Sequence, residues 1–307
     1  MNRAPSNALI GFGLFFAIFL WGGNNAGTKF LVQSWPPIFV GCTRFLLAGV
    51  LLLLLMRWTR WFGPTAVMEP ELKKRLWLRG GLPLALYILA FNCALTYTSV
   101  ARVVLYLGTA PIWALVLEER PGRTWRSAQR YGAALLGLLG VFVLFWPALK
   151  SGTGGLLGDV LALAASWLWT LYGRQCRTFG SVLSGAAISA HTFWRAALLL
   201  SPLALMEISS RSLSWETNLL LVQAFCVLGG GIGAFAIWNS ALRHWPTSRV
   251  YLFINLIPLS SMTWANVFLG EPITPTFWLA MLLIVSGVLI GQTNWQKVLG
   301  RRLVPLE

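Results

Sequence analysis

Charge is what this chain lacks most. Asp, Glu, Lys and Arg make up 11% of its 307 residues, whereas soluble domains carry roughly 25%. That scarcity excludes an ordinary water-soluble domain. Acids are rarest, nine in all. Glu118, Glu119, Asp159 and Glu271 fall at the ends of apolar runs; Glu69, Glu71, Glu207, Glu216 and Glu307 fall in loops, at run ends or in the tail. No carboxylate sits in the middle of a run, so export of a cationic drug against an intramembrane glutamate has no residue to carry it. Proton coupling through a buried acid has none either. Two histidines, His191 and His244, are too few for the Asp/His/Glu cluster that a membrane-embedded enzyme using metal-assisted transfer needs. His191 is the one side chain inside a run that ordinarily titrates near neutral pH. The four cysteines, Cys42, Cys93, Cys176 and Cys226, show neither metal spacing nor a disulfide framework. No metal and no cofactor are expected.

Long apolar runs are what the chain has instead. It is 57% hydrophobic, and its mean hydropathy is +0.68. Continuous runs of about 20 residues mark membrane-spanning helices, and their lack of strict alternation disfavours a β-barrel. Ten spans are predicted, near 8–29, 36–56, 77–97, 100–118, 128–146, 156–174, 184–206, 218–241, 248–269 and 274–293. The first continues into Asn24 and Asn25 without a cleavage pattern, so it reads as a span rather than a signal peptide. The net charge of +15 sits mainly between runs, which points to membrane orientation and away from nucleic acid. One set of loops and the C-terminal tail gather most of the Lys and Arg. The opposite side holds only Lys29, Arg102, Lys150 and Arg211. Both termini are therefore expected in the cytoplasm, as an even number of spans requires.

The chain repeats itself. Asn-x-Ala-Leu begins at Asn92 and at Asn239, an arginine opens the next run at Arg102 and Arg249, and a proline follows at Pro111 and Pro258; each pair lies 147 residues apart. Leu20-Trp21 answers Leu168-Trp169, Arg44 answers Arg195, and Gly140-Val141 answers Gly287-Val288. Glu119 and Glu271 match with a small shift. The expected architecture is all-α, ten transmembrane helices in two five-helix repeats, residues 1–150 and 151–307, the second ending in a short cytoplasmic tail. Five spans per repeat start the second copy on the opposite side of the membrane. The repeats are then inverted, an arrangement that suggests a transporter.

The segments LWGGN, TRFLLAG, APIWALVLEERPG, GDVLALAASWLWTLYGR, WNSALRHWPTSRVYLFINLIPL and LGEPITPTFWLAMLLIVSGVLIG follow one another in order along nearly the whole chain, from residue 20 to residue 291. Together they resemble the drug/metabolite transporter superfamily, specifically EamA-type permeases. The resemblance implies ten helices in two inverted bundles of five, a central substrate cavity, and export of small metabolites, often amino acids. It names no single substrate.

A solute path through an apolar bundle needs polar groups at mid-depth. Asn24, Asn25, Asn92, Asn239 and Asn255 supply amides that both donate and accept, suited to a zwitterion or a sugar-like group. The same amides also suit hydrogen bonds between helices. Arg44 and Arg195 are the arginines inside runs; each could hold a carboxylate or bond carbonyls near a helix end. Trp21, Tyr87, Trp169, Tyr172 and Trp238 are candidates for lining a cavity, as against packing or facing lipid. Pro111 and Pro258 break the hydrogen-bond ladder at matching places and are candidates for gating, with a static kink as the alternative. Gly229, Gly230, Gly231 and Gly233 permit close approach or bending in the eighth span.

The function expected is secondary export of small organic metabolites, amino acids above all, by alternating access through a central cavity. Exchange of organic phosphates or nucleotide sugars is the alternative, with Arg44 and Arg195 facing the cavity together; a membrane-embedded enzyme is the second. The expected setting is the inner membrane. The partners are the bilayer and the small-molecule solute, with no nucleic acid, and a monomer suffices.

Overall fold

A computed structural model describes residues 6–59, 68–98, 100–118, 124–150, 155–209, 213–269, 273 and 275–293. The glutamates Glu119 and Glu271 lie outside the described residues, as do Glu307, Arg211 and the C-terminal tail. Among the described residues the chain is helical and no strand element forms.

The elements are α1 (Asn7–Ser34), α2 (Pro37–Trp58), α3 (Pro70–Tyr97), α4 (Val100–Leu107), α5 (Ala110–Glu118), α6 (Trp125–Lys150), α7 (Leu156–Phe179), α8 (Gly185–Ser209), α9 (Thr217–His244), α10 (Thr247–Tyr251), α11 (Ile257–Leu269) and α12 (Pro275–Gln292). Seven helices among the described residues, α1, α2, α3, α6, α7, α9 and α12, are long and apolar enough to cross a membrane. Together with the apolar side chains left on the outside, such as Phe12, Leu205 and Leu282, they make this a multi-pass membrane protein.

Helix starts follow local chemistry. Ser6 accepts the Leu9 amide at 3.2 Å and caps α1. Prolines open α2 and α3, where a missing N–H costs no internal bond. Glu207, at the end of α8, accepts the Ile38 and Phe39 amides at 2.9 Å each and so caps α2 from another helix.

Irregularities match between the halves. The third long helix of each half winds through a π-helical stretch, Leu76–Gly81 in α3 and Cys226–Ala234 in α9. The single run expected over 100–118 is two helices, with a turn at Gly108–Thr109. Pro111 is the cause: it has no N–H for the Leu107 carbonyl, and its ring crowds that carbonyl. Ahead of Pro258 the chain tightens instead into a 3-10 stretch, Leu252–Leu256.

The halves pack reciprocally. Helices α2 and α8, the second of each half, lie on one another, and so do the last ones, α6 and α12. First and third helices exchange: α3 packs on α7, and α1 packs on α9. The pairing reads the same from either half. The main apolar core runs along the seam and includes residues from both halves, among them Leu14, Phe45, Tyr172 and Trp238.

Candidate functional site

The polar part of the interior lies on the seam. Trp21, Asn24 and Asn25 on α1 share a helical face with Thr28 one turn further on. Arg44 and Phe45 project from α2 beside them. The Arg44 guanidinium donates to Thr28 Oγ1 at 2.8 Å and Asn24 Oδ1 at 3.3 Å, and it lies 4.9 Å from the Phe45 ring centre. Arg44 is 4% exposed. No carboxylate pairs with it among the described residues, and its Nε has no hydrogen-bond partner. A buried cation held only by neutral groups is costly, and an anion beside it would offset that cost.

A cavity of about 50 Å³ opens next to this cluster. Trp21, Asn24, Asn25, Arg44, Tyr87 and Trp169 all line it; Phe45, Phe91, Leu107, Gly230, Gly231, Phe235, Ile254 and Ile257 complete the wall. One side is thus polar and the rest aromatic or aliphatic. Trp21 meets Trp169 edge-on at 5.5 Å and Phe235 at 5.2 Å, and Tyr87 leans on Trp169 at 5.1 Å. Such contacts fix ring positions as well as burying area.

The glycines of α9 let this happen. A side-chain carbon on Gly230 would fall 2.7 Å from Asn24 Cγ, and one on Gly231 would fall 3.0 Å from Ala48 Cβ. Within this π-helical stretch the Gly230 carbonyl accepts Trp21 Nε1 at 3.1 Å. A volume of about 50 Å³ holds a few waters.

The other candidates lie elsewhere. Trp238 and Tyr172 do not line the cavity: the Trp238 ring lies 4.9 Å from Trp21 and tilted to it, while the Tyr172 hydroxyl meets Thr192 Oγ1 at 3.0 Å. Asn92 donates to the Pro37 carbonyl at 2.7 Å and Asn239 to Ser189 Oγ at 2.9 Å, so each amide of the pair ties the third long helix of its half to the second. Asn255 is buried against Gly108 and Gly137, with neither amide atom bonded among the described residues. Arg195 does not line the cavity; its guanidinium stacks 4.2 Å from Trp194 and 5.4 Å from Trp77 and donates to the His191 carbonyl at 2.8 Å. Pro111 and Pro258 sit where the helical ladder is interrupted.

Two matched helical halves enclosing a polar pocket in a membrane define a solute transporter by class. A family model described as the EamA-like transporter family matches residues 9–146 and again 156–291. The chain belongs to the EamA-like transporter family. It is 26% identical to the Bacillus subtilis "Uncharacterized transporter YwfM", over 89% of this chain and 90% of that one. It is 25% identical to an Escherichia coli "Probable amino-acid metabolite efflux pump", over 91% of this chain and 94% of that one. It is also 25% identical to the E. coli "Uncharacterized inner membrane transporter YedA", over 96% and 93%. A solved crystal structure shares the fold with a TM-score of 0.77 at 21% identity, covering 97% of this chain and 100% of that one.

Proposed function

We propose that this transporter exports small carboxylate-bearing metabolites, amino acids first among them, by alternating access. The observation that carries the proposal is Arg44, buried at the wall of the seam cavity with no carboxylate partner among the described residues. A solute carboxylate would pair with the guanidinium, its amino group would find the Asn24 and Asn25 amides, and its side chain would lie among Trp21, Tyr87 and Trp169. The chain would cross the inner membrane ten times as two inverted five-helix repeats, 1–150 and 151–307, with both termini in the cytoplasm. The name of the E. coli relative, an amino-acid metabolite efflux pump, agrees with this substrate class. Organic-phosphate exchange is the weaker reading, since Arg195, which was to share the anion with Arg44, stacks on Trp194 away from the cavity.

Thermal stability of the purified protein tests the substrate class. Saturating amino acids should raise the melting temperature, since a ligand stabilises the state it binds. Their carboxamides and decarboxylated amines should not. Stabilisation by sugar phosphates and by no amino acid would reject the proposal.

A further inference from the structure

We propose that the protein carries a second anion site, distinct from the seam cavity, which takes a phosphate group. The repeat supplies the argument. Arg102 and Arg249 are equivalent positions, yet their surroundings differ. Arg102 is neutralised by Asp159: Nε donates to Oδ1 at 3.0 Å and a terminal nitrogen lies 2.9 Å from Oδ2. Arg249 has a neutral partner instead, its Nε bonding the Gln292 amide oxygen, while Gln292 Nε2 returns to the Arg249 carbonyl at 2.9 Å. The guanidinium lies 3.7 Å from the Trp245 ring centre, which holds its plane in place.

Two more arginines from α6 converge on it. Arg126 and Arg130 share with Arg249 the wall of a cavity of about 170 Å³, together with Gln129, Ser248 and Gln292. Arg130 lies near enough to Arg249 for their like charges to repel. No carboxylate lines this cavity among the described residues. The Arg249 charge, bonded to a neutral amide and set close to that of Arg130, is one that a bound oxyanion would offset. Arginines offer paired N–H groups matched to a phosphate.

This end of α6 and α12 belongs to the side that the charge bias assigns to the cytoplasm. Anionic phospholipid headgroups and soluble phosphates both occur there. A phosphodiester headgroup and a free phosphate share the chemistry, and the experiment separates them.

Full-length protein in detergent is offered an equimolar mixture of phosphatidylglycerol and phosphatidylcholine, and retained lipid is counted by native mass spectrometry. A parallel sample is titrated with inorganic phosphate at constant ionic strength, and its melting temperature is followed. If the anion is a headgroup, the wild type retains phosphatidylglycerol selectively. R126Q and R249Q each lower that retention about fivefold, the worth of one arginine near an anionic surface. Lys74→Gln, on the exposed start of α3, leaves it unchanged. If the anion is soluble, lipid retention is unselective, while phosphate raises the melting temperature of the wild type and not of R249Q. R126Q, at an exposed position, serves should R249Q fail to fold. Unselective lipid retention together with no phosphate effect would overturn the proposal, as would either effect persisting unchanged in folded R126Q.

Discussion

Replacing Arg44 with glutamine should separate transport from stability. The guanidinium is buried beside the seam cavity and bonds Thr28 and Asn24, with no carboxylate partner among the described residues. Removing it leaves two neutral acceptors short of a donor, which costs about 1–3 kcal/mol per unsatisfied group; the glutamine amide recovers part of that. The change also removes the desolvation penalty of a buried, unpaired charge, which works in the opposite direction. The two effects nearly cancel, so folded Arg44→Gln should melt close to the wild type. Transport should behave quite differently. Losing one partner of a buried, hydrogen-bonded charge pair costs about 2–5 kcal/mol, about 30-fold to several thousand-fold in affinity. Uptake of labelled amino acid into proteoliposomes, measured over a wide concentration range, reads the loss as a raised KM. Arg44→Lys keeps the charge but loses the planar fork, and it should fall between the two. A wild-type KM in Arg44→Gln would refute the assignment of this residue to the solute. A melting temperature far below the wild type, with normal transport per folded molecule, would make it structural.

Arg195→Gln should do the reverse. It removes stacking on Trp194 and Trp77, worth about 1–2 kcal/mol when desolvated, so thermal stability should drop while KM stays. Gly158→Ala places a carbon 2.7 Å from Thr98 Cβ and 2.9 Å from the Tyr97 carbonyl carbon. Because backbone cannot yield there, a loss of about 1–3 kcal/mol is expected. Gly132→Ala, with nothing within 4 Å, should gain about 0.5–1 kcal/mol in the same melting assay. Pro111→Ala lets the ladder close between α4 and α5, with a gain of up to about 3 kcal/mol. If that break works as a hinge, turnover slows while affinity holds; unchanged turnover marks a static kink.

Much of the layout could be read from residues alone, for identifiable reasons. Charge scarcity and the 147-residue offset announced a doubled helical membrane protein, because hydropathy and repetition survive sequence drift better than packing detail. Trp21, Asn24, Asn25 and Arg44 stood out as polar or aromatic marks in apolar runs, and they lie around one cavity. Thr28 was missed as an Arg44 partner, although its place one turn beyond Asn24 was a usable signal. Phe45, Phe91, Phe235, Ile254 and Ile257 were missed because an apolar cavity wall has the same composition as a packed core. The differing places of Arg44 and Arg195 were also invisible: each is an arginine inside an apolar run, and only the neighbours, Asn24 and Thr28 in one case and Trp77 and Trp194 in the other, tell them apart. The turn at Gly108–Thr109 was half legible, since Pro111 marked a broken ladder without saying whether the helix would kink or divide.

Counterflow in proteoliposomes tests the central claim most directly. Vesicles loaded with unlabelled amino acid and diluted into a trace of the labelled form should accumulate label transiently above equilibrium, since a carrier returns more readily when occupied. Loading with the matching carboxamide should abolish the overshoot. Label that merely equilibrates, at a rate indifferent to the internal amino acid, would contradict a single alternating pocket at the seam.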